Sequence, residues 1–130
     1  MKKALPTILI GFLLIMILDC LGSITSRQMN FNYGYLLPFS FTIYTAIPFV
    51  IAKRVGKKNA IISGGLLGLF DATIGWKLSM LLQTNTGNRI LNITPVVLIT
   101  TIIFVTLTGT LFGLLGSWLA FKFSINKKKR

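Results

Sequence analysis

The sequence predicts an all-α membrane protein, a single domain of four transmembrane helices with both termini in the cytoplasm. Three observations predict it. Of 130 residues, 53% are hydrophobic and only 12% charged, whereas a soluble domain carries roughly a quarter charged residues. The apolar residues fall into four runs, about 5–25, 36–52, 60–82 and 94–121, each near or above the roughly 20 residues that a spanning helix needs. The basic residues gather in alternate connections, eleven on one side against three on the other.

That asymmetry sets the orientation. Lys2, Lys3, Lys53, Arg54, Lys57, Lys58, Lys122, Lys127, Lys128, Lys129 and Arg130 lie on one side, and Arg27, Lys77 and Arg89 on the other. The positive-inside rule places the richer side, and with it both termini, in the cytoplasm of a plasma or inner membrane. Lys53, Arg54, Lys57, Lys58 and the terminal Lys127 to Arg130 are then expected at anionic lipid headgroups. The net charge of +12 does not point to nucleic acid, because the basic residues are short clusters between apolar runs with no aromatic interleaving.

The first run follows Met1, Lys2 and Lys3, with Pro6 in its first turn, where a missing N–H costs nothing. It is long for a cleaved leader, and bulky Leu21 occupies the place where cleavage wants a small residue, so an uncleaved helix is expected. Cys20 is the only cysteine and there is no histidine, which leaves no ligand set for zinc or haem and no partner for a disulfide. No cofactor and no metal are expected. Tyr33 and Tyr35 open the second run and read as an interfacial belt. Pro48 lies well inside that run, so it should free the Tyr44 carbonyl and kink the helix, with Tyr44 and Thr45 available to satisfy the freed oxygen.

The third run carries Trp76 and Lys77 near its far end, where an indole and a snorkelling ammonium belong. Asn92-Ile93-Thr94 fits the glycosylation pattern, but Pro95 follows and the membrane is close, so chance explains it. Thr94 and Pro95 form a helix start for the fourth run. Trp118 marks the inner interface.

Small residues recur every four positions in the third run, at Ala60, Gly64, Gly68 and Ala72, with Gly75 four beyond Asp71. The fourth run carries Gly109, Gly113 and Ser117. Such spacing lets backbones approach closely, the main route to association where lipid offers no hydrophobic drive. The rows are expected to meet within one subunit, with a homodimer seam as the alternative.

Asp19 and Asp71 are the only acidic residues, and both sit inside apolar runs. A carboxylate there costs roughly 2.5 to 3.5 kcal/mol on insertion scales, so it faces protein or water and marks a functional candidate. Gly68 and Gly75 place Asp71 on the glycine-lined face. Gly22, Ser23 and Ser26 give Asp19 a small, polar face as well. Counting 1.5 Å per residue from the basic ends puts Asp19 roughly 22 Å and Asp71 roughly 18 Å deep. Two readings stay open: an intramembrane proton or cation site, or groups that fix helix register by bonding to hydroxyls or to a cation. Arg27 and Lys77 are the candidate counter-charges.

No paired-acid signature, serine with a base or histidine metal site is present, so an enzyme is not expected. The leading expectation is a non-catalytic accessory or structural membrane component, with a membrane-protein partner or a second copy. The second is a small proton- or cation-coupled transporter using Asp19 and Asp71, and the third a holin-like pore former.

The segment IAKRVGKKNAIISGGLLGLFDATIGW, residues 51–76, resembles a pattern of small bacterial four-helix integral membrane proteins, which implies location rather than chemistry. By size alone the chain is similar to the small multidrug-resistance transporters, whose first helix carries a functional acid; here that acid is Asp19. It is also of the size of the fluoride channels. Many such proteins assemble from oppositely inserted copies and need a weak charge bias. Eleven against three is a strong one.

Overall fold

The computed structural model describes residues 2–87 and 94–127, the last four of these by backbone alone. Arg89, Asn92, Ile93, Lys128, Lys129 and Arg130 fall outside the described residues, as does the side chain of Lys127. Among the described residues every regular element is helical. Helix α1 spans Leu5–Gln28, a 3-10 turn spans Tyr33–Leu36, and α2 spans Leu37–Arg54. The third span is composite: α3 (Lys57–Phe70), a π-helical turn (Asp71–Gly75) and α4 (Trp76–Leu81). Helix α5 covers Pro95–Lys127. All four spans are long and apolar enough to cross a membrane.

Two tight connections define the ends of the bundle. At the end near the termini, α2 passes into α3 through Gly56 at φ +113°, a conformation that a Cβ disfavours strongly. The opposite, distal end is laced together by polar loops. Asn30 turns the chain at φ +52°, and the Asn32 side chain accepts from the Gly34 N–H at 2.8 Å to cap the 3-10 turn. The two distal connections then join, with Tyr33 N–H donating to the Asn85 carbonyl at 2.9 Å and Asn85 Nδ2 donating to Asn30 Oδ1 at 3.0 Å. Thr94 accepts from the Val97 N–H at 3.3 Å, the capping bond expected at the start of α5.

Burial is inverted relative to a soluble protein. Leu9, Leu13, Leu21, Ile103, Phe104, Leu107 and Leu111 all face outward, while Asp19, Ser23, Ser26, Ser63 and Ser117 are buried. Three of the buried serines spend their hydroxyls on nearby carbonyls, Ser63 on Ala60 at 2.7 Å, Ser26 on Ser23 at 2.9 Å and Ser117 on Leu114 at 2.8 Å, while Ser23 donates to the Ser79 hydroxyl at 3.4 Å. A solvent of acyl chains makes this arrangement the stable one.

The glycine rows hold α3 against α5. A Cβ at Gly64 would meet the Gly109 carbonyl and, at 2.7 Å, the Gly113 Cα; one at Gly109 would meet Gly68 Cα at 2.9 Å. The two backbones are in contact along this seam, within one chain. Gly116 adds a second close approach, to the Thr45 carbonyl of α2. At Gly75 the nearest atoms are carboxyl oxygens instead, described below. Helix α1 packs on α2 and the third span, and among the described residues it makes no approach to α5.

Helix α2 continues through Pro48, which is buried. The Thr45 hydroxyl donates to the Phe41 carbonyl at 2.9 Å and the Tyr44 hydroxyl donates to Asp71. Neither side chain therefore serves the carbonyl that Pro48 frees, contrary to the sequence expectation.

Below the middle of the bundle, toward the termini, the interior is packed mainly with apolar side chains. Ile8, Ile15, Ile47, Ile51 and Leu67 form its core. Phe12 stacks on Phe70 with centroids 4.2 Å apart, and Phe41 on Phe112 at 4.5 Å. At the terminal end Lys53 Nζ lies 4.3 Å from the Phe49 ring centroid and Lys122 Nζ 5.1 Å from that of Trp118.

Candidate functional site

The two aspartates meet. Asp19 projects from the small, polar face of α1, where Gly22, Ser23 and Ser26 are also buried. It is itself only 3% exposed. Asp71 opens the π-helical turn, in which the Trp76 N–H reaches five residues back to the Asp71 carbonyl. Such wide turns interrupt the regular ladder and recur at functional sites.

Gly75 closes that turn, and its missing side chain makes room for the acids. A Cβ there would collide with Asp19 Oδ2 and Asp71 Oδ1 together. Both carboxyls therefore converge on one point of the third-span backbone. In α-helical register Gly75 reads as one more member of a packing stripe; in the structure its role is to admit two carboxyl oxygens.

Each carboxyl is held by one tyrosine. The Tyr33 hydroxyl, from the 3-10 turn, donates to Asp19 Oδ1 at 2.5 Å. The Tyr44 hydroxyl, from the middle of α2, donates to Asp71 Oδ2. This leaves Asp19 Oδ2 buried without a hydrogen-bond partner. An unsatisfied buried acceptor costs about 1–3 kcal/mol and needs an explanation.

A cavity of about 450 Å³ lies on the distal side of the pair. Its walls include Asp19, Asp71, Tyr33, Trp76 and Ser79, with Gln83, Thr84 and Thr86 of the distal loop at its mouth and Thr101 and Val105 of α5 along one side. Among the described residues no basic side chain lines it. Arg27 and Lys77, the expected counter-charges, are both exposed, and the partners of the aspartates are tyrosines instead. On the terminal side the pair rests on the apolar layer of Ile15, Ile47 and Leu67.

The chemistry available is that of two adjacent carboxyls in a poorly hydrated place. Two negative charges there repel, and a proton or cation placed between them removes the repulsion. Tyr33 and Tyr44 were not recognised from sequence as part of the site. Tyr33 reads as an interfacial residue and Tyr44 as a helper of Pro48. The usable signal was Tyr44 in mid-span, since a phenol in hydrocarbon needs a partner and the chain offers only two carboxyls.

Comparison of the chain with protein-family models, with curated proteins and with solved structures finds no match in any of the three.

Proposed function

We propose that the protein is a small proton- or cation-coupled membrane transporter, with Asp19 and Asp71 as its ion site and the distal cavity as its solute site. The observation that carries this reading is Asp19 Oδ2, buried without a partner where the two carboxyls converge. A pair that served only helix register would have every buried oxygen in at least one hydrogen bond, as each buried serine hydroxyl is. The cavity falls within the roughly 300–1,000 Å³ of small-molecule sites. Both termini are cytoplasmic in this reading, so the cavity faces outward and the layer of Ile15, Ile47, Leu67 and the stacked Phe12 and Phe70 separates the site from the cytoplasm. The basic terminal end then lies at anionic headgroups of the plasma membrane, and no catalytic step is assigned.

The test is ion flux in vesicles containing the purified protein, driven by a pH or cation gradient. Asp19→Asn and Asp71→Asn should each insert normally and abolish the flux. Flux that survives both substitutions overturns the reading. No flux in the unsubstituted protein together with a co-purifying membrane protein would favour the accessory role, and non-selective leakage of the vesicles a holin-like pore.

A further inference from the structure

The end of the bundle near the termini carries a second hollow, of about 360 Å³, where the end of α2, the start of α3 and the last turns of α5 meet. Lys53 and Lys57 line it together with Ser117, Ala120, Phe121 and Phe123 of α5. Ser117 and Ala120 are small and buried, which leaves the hollow its depth, while Phe121 and Phe123 are exposed at its rim.

Positive charge at this end has no counterpart in the fold. Helix α3 begins with Lys57 and Lys58, at the end that a helix dipole already makes positive, and its first turn holds no acidic residue and no side-chain cap. Its N-cap, Gly56, has no side chain to offer. The chain's only acidic residues are Asp19 and Asp71, and at about 1.5 Å per residue along the third span Asp71 lies roughly 20 Å from Lys57. Lys53 Nζ rests over the Phe49 ring rather than on a carboxylate, and Phe49 in turn meets Phe123 edge-on with centroids 6.5 Å apart. Among the described residues, two ammonium groups and an uncapped helix start therefore share one hollow that no acidic side chain lines.

We infer that this hollow binds the phosphate of a single anionic phospholipid, with Lys53 and Lys57 as its cationic partners. The inference rests on the placement of the basic end at anionic headgroups, narrows it from a diffuse field to one site, and does not depend on ion transport. A basic pocket between spanning helices suits a lipid phosphate. The exposed rings of Phe121 and Phe123 then lie against the glycerol and upper acyl chains, which a soluble phosphate lacks. A zwitterionic headgroup fits less well, because its ammonium would face Lys53 and Lys57 and find no carboxylate side chain at this end. Arg54 and Lys58 are the sequence neighbours of the two lysines and are exposed, yet neither lines the hollow. They separate a site from general attraction to a charged surface.

Native mass spectrometry of the full chain in detergent, offered phosphatidylglycerol and phosphatidylcholine in equal amounts, tests the site. One phosphatidylglycerol should be retained in preference. Lys53→Gln with Lys57→Gln should weaken its retention by at least about tenfold, as losing two lysines beside a phosphate implies. Arg54→Gln with Lys58→Gln, which removes the same charge, should keep most of it, and so should Lys53→Arg with Lys57→Arg. Equal loss in the two glutamine pairs overturns the site and keeps the headgroup placement. No preference for phosphatidylglycerol in the unsubstituted chain overturns both. Loss in the arginine pair as great as in the Lys53 and Lys57 glutamine pair traces the effect to the fold of this end and overturns the site. Displacement of the lipid by an equal concentration of glycerol phosphate assigns the hollow to a soluble phosphate and overturns the lipid.

Discussion

The Tyr44 hydroxyl donates to Asp71 Oδ2 across the interface between α2 and the third span. Tyr44 is buried and belongs to the hydrophobic core, so this bond ties the apolar half of the bundle to the carboxyl pair. Replacing Tyr44 by Phe keeps the ring and removes the donor. The expected cost is about 1–3 kcal/mol, that of an orphaned buried acceptor. A lowered unfolding midpoint in detergent checks it, and an unchanged midpoint would mean that the phenol is dispensable.

Gly75→Ala and Gly64→Ala separate site from scaffold. The first places a methyl on two carboxyl oxygens, which can swing away; the second places it against the Gly109 carbonyl and the Gly113 backbone, which cannot. Gly64→Ala should therefore destabilise by about 1–3 kcal/mol. Gly75→Ala should fold with a smaller loss and lose ion flux. Thermal unfolding and vesicle flux, measured on both variants, give the comparison.

The stack of Phe12 on Phe70 belongs to the layer between the carboxyl pair and the terminal end. Truncating both rings to Ala thins that barrier and opens a void next to Asp71, which follows Phe70 in the chain. Uncoupled leakage of protons or ions through the double variant is the expected outcome, read as decay of an imposed gradient. Each single variant should leak less than the pair.

Topology is checked by thiol labelling on a Cys20→Ser background, since Cys20 is the only native thiol and is partly buried. A cysteine at Thr86 should react with an impermeant reagent added outside intact cells. One at Lys58 should react only after permeabilisation. The reverse pattern would turn the cavity toward the cytoplasm.

The four spans were legible because span length and mean hydropathy are long-range averages that single residues cannot upset. The glycine seam was legible for a related reason: Gly64, Gly109 and Gly113 recur with the helical period, and two neighbouring antiparallel helices can bring such rows together. The depth count placed Asp19 and Asp71 near one level. What it could not supply was the π-helical turn, which depends on tertiary contacts and shifts the phase of the span after Asp71. The helical period sets Gly75 beside Asp71, as found, but does not show that Asp19 shares the same gap. Tyr33 was misread because its position at a span entrance fits an interfacial belt equally well, and only the folding of the 3-10 turn carries its hydroxyl inward to Asp19.

The close seam between α3 and α5 has a mechanical consequence. Backbones in direct contact cannot be prised apart or slid past each other without collision, so these two helices behave as a single strut. Helix α1, which does not approach α5 among the described residues and is tied to its neighbours by side chains rather than by backbone contact, hydrogen bonds of Asp19, Ser23 and Ser26 at its distal half included, is the piece with more freedom to rock. Since α1 bears Asp19 and the strut's span bears Asp71, any such rocking must draw the two acids apart or press them together.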